Sequence, residues 1–185
     1  MAYGILVCGL NGSGKSTLGR ALADALGFRL IDSEDLYFAK DDPAYAYASP
    51  RSREEAVRLL MEEVAACERF VFVAVKGDYG EAILPLYQLA VLVETPRAVR
   101  LERVRNRSFE RFGDRMMPGG DLYEPERAFF EQAARRTEEE IEDWVSALRC
   151  PVVRVDGTKP AWENARIVAG QMKLSRGEGH DHRFV

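Results

Sequence analysis

Ile5-Leu6-Val7-Cys8-Gly9-Leu10-Asn11-Gly12-Ser13-Gly14-Lys15-Ser16-Thr17 is the stretch that decides the fold. The apolar run Tyr3–Cys8 predicts a short buried strand. Leu18, Leu22 and Leu26 recur at i, i+4 and i+8 and predict a helix over 15–26. Between the two, Gly9 to Ser16 spells G-x-x-x-x-G-K-S, with Thr17 after it. Glycines let the backbone take positive φ and wrap closely around an anion. Successive N–H groups then point inward as a nest, and the helix beginning at Lys15 aims about half a positive charge at the same place. The lysine of this pattern reaches β and γ phosphates, and its serine hydroxyl coordinates magnesium. Gly9, Asn11, Gly12, Ser13, Gly14, Lys15, Ser16 and Thr17 are therefore expected to cradle a triphosphate, with Ser16 as a metal ligand. The bland alternative is a glycine-rich turn that binds nothing.

The rest of the chain alternates in the same way. Strands are expected over 28–31, 70–75, 89–93 and 152–155, and helices over 53–67, after Pro96 placed at a first helical position, and over 160–173. A longer helix carries Phe130, Ala134, Thr137, Ile141, Trp144, Val145 and Leu148 on one side. Strands separated by helices pair in parallel, and nearly continuous apolar strands need helices on both faces. The expectation is an α/β three-layer domain over 1–172 and a polar tail over 173–185.

The 185 residues, 46% apolar and 30% charged, suit one such domain. A net charge of −4 argues against a global nucleic-acid footprint. No apolar run approaches the roughly 20 residues of a membrane span. Cys8, Cys67 and Cys150 lack metal-ligand spacing and are odd in number, which points to a reduced, cytoplasmic setting.

With its phosphate loop, the chain resembles P-loop kinases of the adenylate kinase, shikimate kinase and gluconate kinase group over about 5–172. The resemblance implies a P-loop NTPase fold with a five-stranded parallel sheet in order 2-3-1-4-5. It also implies ATP and Mg2+ as ligands, an acceptor-binding segment near 33–66 and a lid near 104–127. Asp32-Ser33-Glu34-Asp35-Leu36 follows the second strand and resembles the D-x-D-x-L pattern of shikimate and gluconate kinases. By that match Asp32 assists magnesium and Glu34 meets the acceptor, with Asp35 as a rival. Capping of a helix by Asp32 or Ser33 is the structural alternative.

Seven arginines and three acids between Arg97 and Arg115 give this stretch a local charge of +4. Leu101-Glu102-Arg103-Val104-Arg105-Asn106-Arg107 resembles the lid approach of these kinases. By that match Arg103 stacks near the base and Arg107 contacts phosphate. Arg111 or Arg115 is expected to help balance the moving phosphoryl group, and Arg135 and Arg136 are weaker candidates. Asp78 is expected either at the substrate or in a turn. Asp156-Gly157-Thr158-Lys159-Pro160 resembles the adenine-side loop of adenylate kinases. Tyr37, Phe38, Tyr45, Tyr47, Arg51 and Arg53 occupy the acceptor segment, either as core or as substrate contacts. His180 and His182 lie in the tail, where a metal site is not expected.

Together these expectations describe an ATP-dependent kinase acting on a nucleoside monophosphate or a hydroxyl metabolite, as a monomer or homodimer. Lys15, Asp32, Glu34, Arg107 and Arg111 are the expected catalytic residues. An ATP-binding regulator with little transfer activity is the alternative from another class.

Overall fold

The computed structural model describes residues 2–39, 45 and 47–175. Five strands, β1 (Tyr3–Cys8), β2 (Arg29–Asp32), β3 (Arg69–Ala74), β4 (Tyr87–Glu94) and β5 (Val152–Asp156), form one sheet in the order β2-β3-β1-β4-β5. Every pairing is parallel, with Ile5 opposite Val71 and Leu89, and Val91 opposite Val153. The three-layer arrangement expected from the sequence is the one observed.

Alternation along the strands sorts the core into two halves. Leu6, Cys8, Phe70, Phe72, Ala90 and Leu92 face α3 (Arg53–Ala65) and α6 (Glu138–Ser146). Ile5, Val7, Val71, Val73, Leu89 and Val91 face α1 (Lys15–Leu26) and α7 (Ala161–Ser175). Phe70 and Phe72 are fully buried, each worth about 1.5–3 kcal/mol of transfer free energy. Two apolar faces on each central strand explain why β1, β3 and β4 read as unbroken apolar runs.

Three local readings change. Pro96 is the N-cap of α4 (Arg97–Phe112) and not its first helical residue. Its ψ is 138°, and its carbonyl accepts the first helical bond from the Arg100 N–H. The single long helix is two, α5 (Tyr123–Arg135) and α6. Arg136 is extended between them, and the Thr137 hydroxyl caps α6 by accepting from the Glu140 N–H. Thr137 therefore starts a helix; it does not sit inside one. A short helix α2 (Ser33–Tyr37) follows β2 directly. Beyond Ser175 the polar tail, with His180 and His182, lies outside the described residues. Among those described, no helix is long and apolar enough to cross a membrane.

Candidate functional site

The strand-to-loop-to-helix path from β1 to α1 is built as its sequence requires. Gly12 and Gly14 have φ of 79° and 97°. A Cβ at Gly12 would stand 2.2 Å from the Arg100 carbonyl oxygen, so α4 packs directly on the loop apex. Thr95, at the end of β4, donates its hydroxyl to the Ser13 carbonyl at 3.0 Å. Ser13 Oγ is buried inside the loop with no hydrogen-bond partner among the described residues. An orphan hydroxyl costs free energy unless something fills its valence, and the positive-φ turns at Gly12 and Gly14 are those that let a backbone wrap an anion.

Lys15 opens α1 and is partly buried. Burial lowers its pKa to about 8; Asp32 and Glu34 oppose that shift, and Arg107 and Arg136 add to it. These five side chains share one electrostatic neighbourhood. β2 ends beside β3 on the same sheet edge and delivers Asp32 to the loop face. One oxygen of Asp32 caps α2 by accepting from the Glu34 N–H at 3.0 Å. The cap engages one of the two carboxylate oxygens, and among the described residues no bond to the other is seen, so capping leaves room for a ligand. Ser16 and Asp32 supply hard oxygen donors, which suit magnesium.

Glu34 is half-buried and accepts a 2.6 Å hydrogen bond from the Tyr47 phenol. Arg111 donates to the same phenol oxygen at 2.6 Å, lies 4.0 Å from the Glu34 carboxylate, and stacks on the rings of Tyr47 and Phe112. Burial, then the bond to Glu34, raises the Tyr47 pKa and keeps it a neutral donor. Asp35 is exposed, so Glu34 is the carboxylate turned toward the arginines. Tyr45 donates to Glu126 at 2.8 Å; Glu126 is buried and, among the described residues, its second oxygen has no partner. The tyrosines of the acceptor segment therefore bridge to α4 and α5.

The arginines divide by task. Arg103 donates to the Gly157 carbonyl at 2.9 Å and lies 3.8 Å from where a Gly14 Cβ would stand, joining the phosphate loop to the loop after β5. Arg107 is exposed and, among the described residues, pairs with no carboxylate. Arg115 forms a two-pronged pair with Asp121 that closes the turn between α4 and α5, so its fork is committed to the fold. Asp78 pairs with Arg53 at 3.9 Å. The carboxylate of Asp156 closes its own turn, accepting from the Thr158 N–H at 2.8 Å. Burial pushes the Cys8 thiol up to about 12, which marks it as core.

Two residues carry more than their sequence signal. Arg136 donates to the Asn11 side chain at 2.7 Å and reaches the loop apex. Arg100 is 1% exposed and touches Asn11, Thr95 and Glu138. The readable signal for Arg100 was phase. It falls with Val104 and Ser108 on the buried face of α4, where a charge is out of place.

A family model described as an AAA domain matches residues 5–117. The chain is 28% identical over 164 residues to YqaC, an uncharacterised protein of Bacillus subtilis strain 168, covering 84% of this chain and 89% of that one. Among solved structures it is similar to a gluconokinase from Sinorhizobium meliloti 1021, at 21% identity and a TM-score of 0.55, covering 96% of this chain and 98% of that one. A shikimate kinase from Aquifex aeolicus vf5 is 17% identical with a TM-score of 0.53, over 96% and 99% of the two chains. A sugar kinase from Janibacter sp. HTCC2649 is 15% identical with a TM-score of 0.53, over 94% and 95%. These likenesses agree on the fold.

Proposed function

Because the chain belongs to the AAA domain family, we propose that it is an ATP-dependent phosphotransferase that moves the γ-phosphoryl group to a small-molecule acceptor. One observation carries the proposal: Asp32 and Glu34 share the surroundings of Lys15 with Arg107 and Arg136. A site that only held a polyanion would gain from the cations and lose from two carboxylates. A carboxylate earns its place when a second reactant must be oriented or deprotonated. The kinase names of the structural neighbours point the same way.

Placement supports the following roles. N–H groups of Gly12 and of Gly14 to Thr17 receive the β and γ phosphates, those of Gly9 and Ser13 being engaged by the Val75 and Leu10 carbonyls, and the anion raises the Lys15 pKa back toward its ordinary range. Ser16 and Asp32 would hold magnesium, which when bound neutralises charge on the phosphate oxygens. Arg107 and Arg111 balance charge on the phosphoryl group as it moves. Arg103, beside Gly157, lies on the side where the base would rest. The stretch 104–127 serves as a lid that limits loss of phosphoryl groups to water. Glu34 holds the acceptor hydroxyl and takes its proton. The Tyr47 phenol already sits on Glu34 at 2.6 Å, within the range for proton transfer. That contact favours a hydroxyl metabolite over a nucleoside monophosphate, whose phosphate is ionised and needs no base.

The test is transfer from labelled ATP to sugar acids, shikimate-like acids, polyols and nucleoside monophosphates. Transfer to a hydroxyl compound that disappears in Lys15→Ala supports the reading. ATP binding with no transfer to any acceptor overturns it and favours the regulator.

A further inference from the structure

The buried guanidinium of Arg100 is not used by the mechanism above, yet all three of its nitrogens donate. Nε donates to the Thr95 carbonyl at 3.2 Å, Nη1 to the Asn11 carbonyl at 3.3 Å and Nη2 to Glu138 at 2.8 Å. These acceptors lie at the end of β4, at the apex of the phosphate loop and on the first residue of α6. Glu138 is two residues beyond Arg136, the extended residue at the α5–α6 break. Arg136 donates to the Asn11 side chain at 2.7 Å. Asn11 is therefore gripped at its carbonyl by one arginine and at its amide oxygen by another. The Glu138 carboxyl is held below its usual range by Arg100, so the pair is ionic at neutral pH. Arg136 also lowers the Lys15 pKa, which places it within the field of the loop lysine.

We infer that Arg100 and Glu138 are a positioning pair that fixes the α5–α6 break against the phosphate loop and so aims Arg136 at the terminal phosphates. The inference rests on the nucleotide-binding reading of the loop. An extended residue between two helices has no ladder of its own to hold it. The Arg100–Glu138 contact supplies the hold, from a buried donor whose position is set by β4 and α4. Arg136 then adds a third cation, with Lys15 and Arg107, at one place, an arrangement that costs free energy until an anion arrives.

Calorimetric titration with Mg-ATP and Mg-ADP tests this on wild type, Glu138→Gln, Arg136→Met and the double variant. Arg136→Met leaves every bond of Arg100 intact and keeps the test readable if Glu138→Gln unfolds. Glu138→Gln and Arg136→Met should each weaken Mg-ATP roughly tenfold, the scale of one charge-assisted hydrogen bond, and Mg-ADP less. The double variant should bind like Arg136→Met alone, because Glu138 acts through Arg136. Multiplying losses, or equal losses for ATP and ADP, would reduce the pair to a general brace and overturn the inference. Failure of wild type to bind Mg-ATP would instead remove the nucleotide reading, and this inference with it.

Discussion

Lys15 makes the unliganded protein less stable than it could be, and Lys15→Met should reveal by how much. Burial, opposed by Asp32 and Glu34, leaves the folded-state pKa of Lys15 at about 8 against 10.5 in the unfolded chain. At 1.36 kcal/mol for each pH unit, that fall corresponds to roughly 3 kcal/mol of cost to the charged folded form. Lys15 is only partly buried, so solvent screening reduces the expected figure to about 1–2 kcal/mol. The sign follows from proton counts. Below pH 8 the ammonium is charged in both states and the cost is fully present. Between pH 8 and 10.5 the folded state gives up its proton while the unfolded state keeps it, and wild-type stability rises. Methionine keeps the length and removes the charge. Without ligand at pH 7, Lys15→Met should therefore melt roughly 2–8 °C above wild type, at about 2–4 °C per kcal/mol for a chain of this size. The gap should close as pH approaches 10. Mg-ATP at a hundred times its dissociation constant should reverse the order, adding about 2.7 kcal/mol to wild type and nothing to the variant. Differential scanning calorimetry across pH 6.5–10 reads both effects. A variant less stable than wild type at pH 7, or a gap that does not change with pH, would refute the reasoning.

Tyr47→Phe removes the hydroxyl that occupies Glu34 and Arg111. It should cost about 1 kcal/mol of stability by denaturant melt, leave ATP affinity unchanged and raise acceptor-independent phosphate release, as water takes the vacated place on Glu34. Gly12→Ala should lose about 2–4 kcal/mol and most nucleotide binding. Its φ of 79° disfavours a side chain, and the new Cβ meets the backbone of Arg100 at 2.2 Å. Leu60→Ala, at a fully buried position of α3 on the sheet face opposite α1, should cost about 2–4 kcal/mol in thermal unfolding while sparing the ATP dissociation constant.

The reach of the sequence reading follows from the range of the forces involved. The β1-loop-α1 unit was legible because two periodicities and a glycine pattern meet within 24 residues, and each is a local property. Sheet order was not legible from periodicity, since apolar runs do not say which strands are neighbours; the kinase resemblance supplied it. The break at Arg136 was hidden because the apolar phase from Phe130 to Leu148 runs across it unchanged. The signal that marks it is Thr137 followed three residues later by Glu140, a helix-start pattern inside an apparently continuous stripe. Arg100 shows the other limit. Its phase announces burial, but its partners lie 89 and 38 residues away in sequence, and only the fold brings Asn11 and Glu138 to it.

Asp32 shows why capping and chemistry need not compete as explanations of one side chain. A carboxylate has two oxygens and about four acceptor sites. Spending one on the Glu34 N–H fixes the rotamer and starts α2, and that same helix carries Glu34 to Tyr47 and Arg111. The other oxygen stays available on a group whose position is already set by β2 and the cap. The local bond prepares the group for the proposed magnesium role, because an uncapped carboxylate at the end of a strand would lose rotamer entropy each time it engaged a cation. The same logic extends to Arg100, whose structural bonds to Thr95 and Asn11 hold the guanidinium that meets Glu138. Arg100 thus organises the phosphate loop by being structural first.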